Sequence, residues 1–96
     1  MRASNYRSGA YYGYKHLVGP YYALTPDDGM TLAAFWHTVV DDVLAIIREH
    51  NAVMIGNPAD FDDINDLVFI DIASDSEEDL VAILKELSEQ GWSTGI

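Results

Sequence analysis

The fold is decided by residues 67–84, LVFIDIASDSEEDLVAIL, in which a strand pattern passes directly into a helix pattern. The first part, LVFIDIA, is rich in β-branched and aromatic side chains, which favour strands. Side chains on a strand alternate between its two faces, so Val68, Ile70 and Ile72 share one face. Asp71 lies on the other face and interrupts a strand that is otherwise apolar on both sides.

The remainder of this stretch predicts a helix. Ser74, followed three residues later by Glu77, fits a capping box, and further acids place negative charge at the helix N-terminus. Gly91 suits the left-handed conformation that ends a helix, and Trp92 is predicted to fold back on Leu87 as the contact of a Schellman motif. The buried stripe of this helix is predicted to consist of Leu80, Ile83, Leu84 and Leu87.

A longer amphipathic pattern lies upstream. Apolar residues recur at three- and four-residue spacing from Leu32 to Ile47, which predicts a helix of about five turns. Its start is open between Pro26, a proline suited to the first helical position, and Thr31, a hydroxyl cap. Asn51 tolerates the left-handed conformation and marks the end of the helix. The core side of the helix is expected to include Phe35 and Trp36.

Five of the six tyrosines lie in residues 10–24. Tyrosine and valine favour strands, whereas glycine and proline interrupt them. We therefore predict a strand at 11–18 and an extended segment or second strand at 21–24. Residues 1–8 are predicted to be a loose end or a short lead into the first strand.

The segment between the two predicted helices begins with an apolar run at 52–55, which predicts a short buried strand. Residues 57–65, NPADFDDIN, then open with an asparagine cap and a proline suited to the first helical position. They are predicted to form one or two helical turns with Phe61 and Ile64 facing inward.

These elements predict one α+β domain over residues 1–96, because the chain is long enough for one core and too short for two. Strand, helix, strand, acidic insert, strand and helix follow one another, and residues 93–96 can add a last strand. This order matches the ferredoxin-like, split βαβ layout, with two main helices on one face of an antiparallel sheet. The alternative is a less regular α+β sandwich in which the tyrosine segment forms a hairpin and the last four residues trail.

Charge is distributed unevenly along the chain. Nine acidic residues and no basic one lie in residues 57–79. All 16 acids fall in residues 16–96 against only Arg48 and Lys85, a net charge of −14 there. Nucleic acid and anionic lipid draw their affinity from Lys and Arg, so neither is expected as a direct ligand. The same charge would attract the basic groove of a protein that itself binds nucleic acid. The alternative, with equal weight, is that the acidity serves only solubility.

Cysteine is absent, which excludes disulfides, thiolate zinc sites and a cysteine nucleophile and fits a reducing compartment. No apolar stretch approaches the roughly 18 residues of a membrane span, and the N-terminal residues lack the apolar core of a signal peptide. A cytoplasmic protein without membrane contact is therefore expected.

The residue pattern gives little support to a metal or catalytic site. Carboxylates in 60–66 offer oxygen ligands, but an EF-hand needs a glycine and a glutamate at places that hold Asn65 and Asp71. The three histidines lack the spacing of a helical zinc site, and neither a nucleophile elbow nor a glycine-rich phosphate loop is present. We expect no metal, no cofactor and no enzymatic activity, and rank a small enzyme that uses Asp71 with a histidine third among the functional classes.

In size, acidity and absence of cysteine the chain resembles the small decoy inhibitors that phages and mobile elements encode against CRISPR complexes or restriction enzymes. The resemblance covers bulk properties and no motif. It implies a non-enzymatic nucleic-acid mimic, of the anti-CRISPR or anti-restriction type, that binds and inhibits a basic protein or nucleoprotein complex. The alternative is a ferredoxin-like regulatory or assembly module that acts as a homodimer or binds a small ligand, so monomer and homodimer are both open.

Two sets of side chains are predicted to contact such a partner. Carboxylates would steer the encounter, and tyrosines would supply stiff aromatic contact area that slows release. The acids in 60–66 carry the sharper prediction because local structure is not expected to need them, whereas those in 75–79 serve a helix start. The predicted contact residues are Asp60, Asp62, Asp63, Asp66, Asp75, Glu77, Glu78, Asp79, Tyr11, Tyr12, Tyr14, Tyr21 and Tyr22.

Overall fold

The fold is known from a computed structural model, which describes residues 7–11, 14–25, 29–62 and 64–94. Within those residues the chain is an α+β protein with a five-stranded antiparallel sheet and two helices. In chain order the elements are β1 (Arg7–Tyr11), β2 (Tyr14–Val18), β3 (Tyr21–Ala23), α1 (Leu32–Glu49), β4 (Val53–Asp62), β5 (Leu67–Ser74) and α2 (Glu77–Glu89).

The central strand of the sheet is β5. Strands β2 and β3 lie end to end along one side of it, in one unbroken register that places Leu17 opposite Ala73. Pro20 lies between these two strands. Its carbonyl accepts a hydrogen bond from Ile70 N–H at 3.2 Å, but its nitrogen carries no hydrogen and cannot donate to β5, so the ladder is interrupted there. Strand β4 lies on the other side of β5, and β1 continues the sheet beyond β2.

The segment predicted to form short helical turns is part of β4 instead. This strand pairs with β5 on both sides of a register shift between Ile55 and Asp60. Proline is tolerated in a strand at such an irregularity, which is where Pro58 lies. The pairing with β5 that resumes at Asp60 satisfies more backbone N–H and carbonyl groups than one helical turn would. The prediction of inward-facing Phe61 and Ile64 is wrong, since 44% and 93% of their surfaces are exposed.

Helix α1 begins after Thr31, whose hydroxyl accepts a hydrogen bond from Ala34 N–H at 3.1 Å. This confirms the later of the two predicted starts; residues 26–28 lie outside the described part of the chain. Asn51 follows the helix with a φ of 55°, as its residue type predicts.

Helix α2 begins two residues later than the predicted capping box. Its cap is Ser76, whose hydroxyl accepts a hydrogen bond from Asp79 N–H at 3.2 Å. The hydroxyl of Ser74 instead donates to the Asn51 carbonyl at 3.1 Å and accepts from Ser76 N–H at 3.0 Å. Ser74 is fully buried, so it links the end of β5 to the end of α1 rather than starting a helix.

The end of α2 confirms the predicted Schellman motif. Trp92 N–H donates to the Leu87 carbonyl at 3.0 Å, and Gly91 N–H donates to the Ser88 carbonyl at 3.1 Å. Gly91 has a φ of 97°, in the left-handed region that favours glycine. The side chains of Trp92 and Leu87 then meet in the same core cluster.

The tyrosine segment forms a hairpin rather than one strand. Strand β1 ends at Tyr11 and pairs with β2, which begins at Tyr14, so the predicted single strand over 11–18 is wrong. The first two residues of β1 belong to the segment predicted to be a loose end or a lead into the first strand, and they fit the second alternative. Residues 1–6 lie outside the described part.

Of the terminal strand predicted for residues 93–96, the described residues show a single β-bridge at Ser93. Ser93 exchanges two backbone hydrogen bonds with Tyr21, at 2.7 and 3.1 Å, next to β3. Residues 95–96 are not among those described, so the rest of that prediction stays untested.

Both helices and β5 contribute to one hydrophobic core. Val68, Ile70 and Ile72 occupy alternate positions of β5 and are at most 2% exposed, which confirms the face predicted from their spacing. The predicted stripe of α2 is also confirmed, because all four of its members are fully buried. The helical and terminal members of this core are Leu32, Trp36, Val43, Ile46, Ile47, Leu80, Ile83, Leu84, Leu87 and Trp92.

Candidate partner-binding surface

The acidic run that is continuous in sequence is divided in space. Asp62 and Asp66, named the loop group here, lie at the turn between β4 and β5. Asp75, Glu77, Glu78 and Asp79, named the helix group, lie where β5 passes into α2. Strand β5 is eight residues long, which at about 3.3 Å per residue separates the two groups by roughly 25 Å.

Asp62 has a structural role within its turn. Its carboxylate accepts hydrogen bonds from Ile64 N–H at 3.1 Å, from Asn65 N–H at 3.2 Å and from the Asn65 side-chain amide at 2.6 Å. The Asn65 side chain is the largest cause of a lowered pKa for Asp62, with the two backbone N–H groups acting in the same direction. The expectation that local structure does not need this acid is therefore wrong.

Asp66 also meets a local backbone requirement. Its φ is 54°, a left-handed conformation that aspartate and asparagine tolerate better than most residues. Its carbonyl accepts a hydrogen bond from Leu24 N–H at 2.9 Å, while its side chain is exposed. The backbone of Asp60 belongs to β4, and Asp63 lies outside the described residues, so the predicted role of their carboxylates stays a prediction.

The helix group combines capping roles with exposed charge. Glu77, Glu78 and Asp79 occupy the first turn of α2, where the helix dipole favours acids. Oδ1 of Asp75 accepts a hydrogen bond from Lys15 N–H at 3.1 Å, which ties the helix start to β2. Glu78 and Asp75 are exposed to solvent, whereas Glu77 and Asp79 are half-buried.

A shallow depression of about 530 Å³ lies beside this group and is lined by Ser76, Glu77, Glu78 and Val81. Two carboxylates border it, but consecutive side chains on a helix of 3.6 residues per turn point about 100° apart. They do not converge on one point as an acid–base pair must. Among the described residues, no group of three or more histidine, aspartate or glutamate side chains is arranged to hold a metal ion.

His50 joins the two helices. Its Nε2 lies 2.8 Å from Oε2 of Glu86, and its Nδ1 lies 3.9 Å from Oδ1 of Asp79. Both carboxylates belong to α2, whereas His50 follows the last residue of α1. Because the carboxylate of Asp79 lies near His50 of the same chain, Asp79 is a weaker candidate for contact with a partner than the exposed Glu78. Sequence alone gave no signal for this pairing, because it depends on how the helices pack.

The predicted tyrosine contacts divide between two sides of the sheet. The ring of Tyr22 stacks on Phe35 with centroids 4.2 Å apart and meets Trp92 edge-on at 5.7 Å, so it packs against the core. The ring of Tyr21 instead lies 5.9 Å from that of Phe69. Tyr14 is half-buried. Tyr12 and the side chain of Tyr11 are outside what the structure describes.

The second side of the sheet is also largely apolar in the part of the chain that the structure describes. Residues directly opposite each other in neighbouring strands share a face, and this one alternates with the core positions of β5. None of its members belongs to the core cluster that contains both helices. Most of its side chains are covered. Leu17 and Ala73 are buried, whereas Tyr21, Val53, Ile55, Leu67 and Phe69 are half-buried, and Ala23 and Asp71 are exposed.

Comparison of the chain with protein-family models, curated proteins and solved structures found no match. No helix within the described residues combines the length and the apolar character that crossing a bilayer requires.

Proposed function

We propose that this chain is a non-enzymatic acidic protein that binds a basic, nucleic-acid-handling protein or nucleoprotein complex and inhibits it as a nucleic-acid mimic. The observation that carries the proposal is the excess of 16 acids over five bases, with the loop group at one end of β5 and the helix group at the other. Such a surface attracts cationic grooves and repels phosphate and anionic lipid.

The spacing of the two acidic groups supports mimicry of a nucleic-acid backbone. A separation of roughly 25 Å corresponds to the rise of about seven nucleotides along the axis of duplex DNA, at about 3.4 Å each. The loop group and the helix group would then engage two separate cationic positions of one groove. Long-range attraction from both ends would orient the protein during encounter.

We also propose that the fold is ferredoxin-like, with both helices on one face of the sheet. The order of β2–β3, β5 and β4 across the sheet supports this, as does the bridge from Ser93 to Tyr21 at the place of a last strand. The absence of cysteine from the sequence favours a cytoplasmic location.

The alternative, an assembly module that pairs edge to edge as a homodimer, has less support. In the described residues β4 pairs only with β5, so its outer edge is open to another strand. That edge is interrupted by the register shift around Pro58, and proline cannot donate to a ladder. Bulges and prolines are the devices that protect edges from such pairing.

The test begins with capture of the partner from the natural host, followed by measurement of its affinity as a function of salt. Four acids are neutralised together with the least structural change: Asp66→Asn, Asp75→Asn, Glu77→Gln and Glu78→Gln. Asparagine tolerates the left-handed φ of position 66, and its side-chain oxygen can still accept the Lys15 N–H at position 75. Asp62 is left intact because its turn depends on it.

The matched control neutralises four exposed acids elsewhere: Asp41→Asn, Asp42→Asn, Glu49→Gln and Glu89→Gln. Both variants lose four negative charges, so a difference in their affinity for the partner shows that the position of the acids matters and not only their number. We expect the first variant to bind the captured partner about tenfold more weakly at low salt, with a flatter salt dependence, and to compete less well with nucleic acid. The proposal would be refuted if the two variants bound the captured partner with equal affinity, or if the affinity of the original protein did not depend on salt concentration.

A further inference from the structure

We infer that the groove between the end of α1 and the start of β4 binds the apolar C-terminal end of another protein chain. The bound segment lies along the outer edge of β4 as an added strand, with alternate side chains in the groove and its terminal carboxylate on Arg48. No lining residue of this groove belongs to the loop group or the helix group. The inference therefore goes beyond the proposed function and does not depend on it.

The first observation is a cavity of about 250 Å³ at this place. Its walls come from both elements and are apolar except for one side chain. Pockets for drug-sized ligands measure about 300–1,000 Å³, so this smaller cavity suits one or two aliphatic side chains of a peptide. The lining residues are Leu44, Ile47, Arg48, Ala52, Val53 and Met54.

The second observation is the open edge of β4 beside the cavity. Residues 53–55 pair with residues 71–73 of β5, and no described strand pairs with their other side. An edge strand directs unpaired N–H and carbonyl groups outward, where an extended peptide can bind them. The register shift between Ile55 and Asp60 limits this regular edge to a short stretch. A short peptide end therefore fits it better than a long strand of a second sheet.

The third observation is the one charged side chain of the cavity. Arg48 is exposed, and neither of the ion pairs found among the described residues includes it. The preceding helical turn places Leu44 and Ala45 beside it rather than an acid. The guanidinium group is therefore available to an incoming carboxylate, which its planar set of donors matches in geometry.

The acids of α2 near the end of α1 do not take this role. Asp79 and Glu86 face His50, at 3.9 and 2.8 Å from its two ring nitrogens. Glu49 follows Arg48 directly, and consecutive side chains on a helix point about 100° apart. Arg48 is thus set apart from the nearby carboxylates of its own chain.

The charge of the whole chain favours a C-terminal carboxylate over acidic side chains in the bound segment. The net charge is −11, and residues 16–96 contain only Arg48 and Lys85 as bases. A segment with several acids would be repelled by this charge. An apolar segment whose single negative charge is its C-terminus keeps the attraction of Arg48 and adds the least repulsion.

The test uses fluorescent hexapeptides that alternate valine with threonine, and their binding to the full chain is measured by anisotropy. The first peptide has a free C-terminal carboxylate, and the second has a C-terminal amide. The third is this amide with an aspartate at its penultimate position. The fourth has the free carboxylate and methyl groups on alternate backbone nitrogens, which removes the donors that an added strand needs.

The variant Arg48→Gln removes the guanidinium group. Lys85→Gln is the matched control, because it removes the same charge from an exposed position on α2. Urea unfolding verifies that both variants fold. NMR shifts of backbone amides locate the bound peptide, and they should be largest in residues 44–48 and 52–55.

We expect the first peptide to bind the original protein and the Lys85 control equally, and Arg48→Gln about tenfold more weakly. The amide peptide and the methylated peptide should each bind the original protein at least about tenfold more weakly than the first. The four-acid variant should bind the first peptide at least as tightly as the original protein does. That result separates this site from the acidic groups, so either proposal can fail without the other.

The inference would be overturned if the first peptide did not bind at about 1 mM, or if Arg48→Gln left its affinity unchanged. Equal affinity for the aspartate peptide would overturn the assignment of the carboxylate to a chain end. A concentration-dependent dimer in sedimentation that the first peptide dissociates would replace the peptide with a second copy of this chain.

Discussion

Gly91 faces the ring of Tyr22, such that a methyl group added to its Cα would lie 3.2 Å from Cε2 of that ring. The same glycine ends α2 with a φ of 97°, so two requirements meet at one residue. We expect Gly91→Ala to lower the free energy of unfolding by about 2 kcal/mol, from left-handed strain and from steric contact. Gly29→Ala is the control, because Gly29 also has a positive φ, and a methyl group added to its Cα would lie within 4 Å of no atom of the described residues. Urea denaturation should show the larger loss at position 91, and equal losses would exclude the steric contribution.

The hydrogen bond between His50 and Glu86 should stabilise the packing of α1 on α2. We expect His50→Ala to cost about 1 kcal/mol of unfolding free energy, a modest value because the side chains are 26% and 43% exposed. His37→Ala, an exposed position on α1, should change it by less than about 0.5 kcal/mol. A double-mutant cycle with Glu86→Gln isolates the pair, and a coupling energy of zero would contradict its role.

Asp62 should make the stability of the turn between β4 and β5 depend on pH. Hydrogen bonds lower its pKa below the ordinary 3.8, so its carboxylate stabilises the folded state above that value. This contribution is lost as the pH falls through the lower, folded-state pKa. We therefore expect Asp62→Ala to reduce stability at pH 7 and to have a progressively smaller effect as the pH falls below 3.8.

NMR titration of the Asp62 carboxyl group provides the complementary measurement. In Asn65→Ala the largest cause of the lowered pKa is removed, so the pKa should rise toward its ordinary value. An unchanged pKa in this variant would show that the Asn65 amide does not hold the carboxylate.

The contrast between Leu84 and Ile64 tests the fold directly. Leu84 is fully buried in the core, and Leu84→Ala should cost about 3 kcal/mol. Ile64 is 93% exposed in the turn before β5, and Ile64→Ser should change stability by less than about 0.5 kcal/mol. A large loss at Ile64 would favour the inward-facing helical turn that its sequence context suggested.

The elements predicted correctly are those that local chemistry determines. The stripe of α2, its end at Gly91 and the start of α1 at Thr31 depend on spacing, backbone conformation and a nearby hydroxyl, all of which a short segment contains. Pro58 gave a misleading signal, because proline suits both a first helical turn and an interrupted edge strand. Only the pairing of β4 with β5 distinguishes the helical turn from the edge strand. That pairing depends on contacts between two separate segments, which the pattern within either segment does not contain.

The division of the acids into two groups was predictable from the sequence, because the apolar strand pattern at 67–73 lies between residues 60–66 and 75–79. The local contacts of the individual acids were not predictable in this way. Tyr21 and Tyr22 are neighbours in sequence and lie on opposite faces, so their shared chemistry concealed different roles. The role of Asp62 depends on a hydrogen bond from Asn65, three residues away, and an excess of charge gives no signal for such a contact.

The central position of β5 has a consequence for the order of folding. Its contacts with β4 close a short loop, whereas its contacts with β2 join residues such as Leu17 and Ala73 that are more than fifty positions apart. The entropy of chain closure is lower for the short loop, so β4, β5 and α2 can assemble before the N-terminal strands dock. Slow, late docking of β2 and β3 would then set the folding rate, and Pro20 would lie in the last part of the sheet to form.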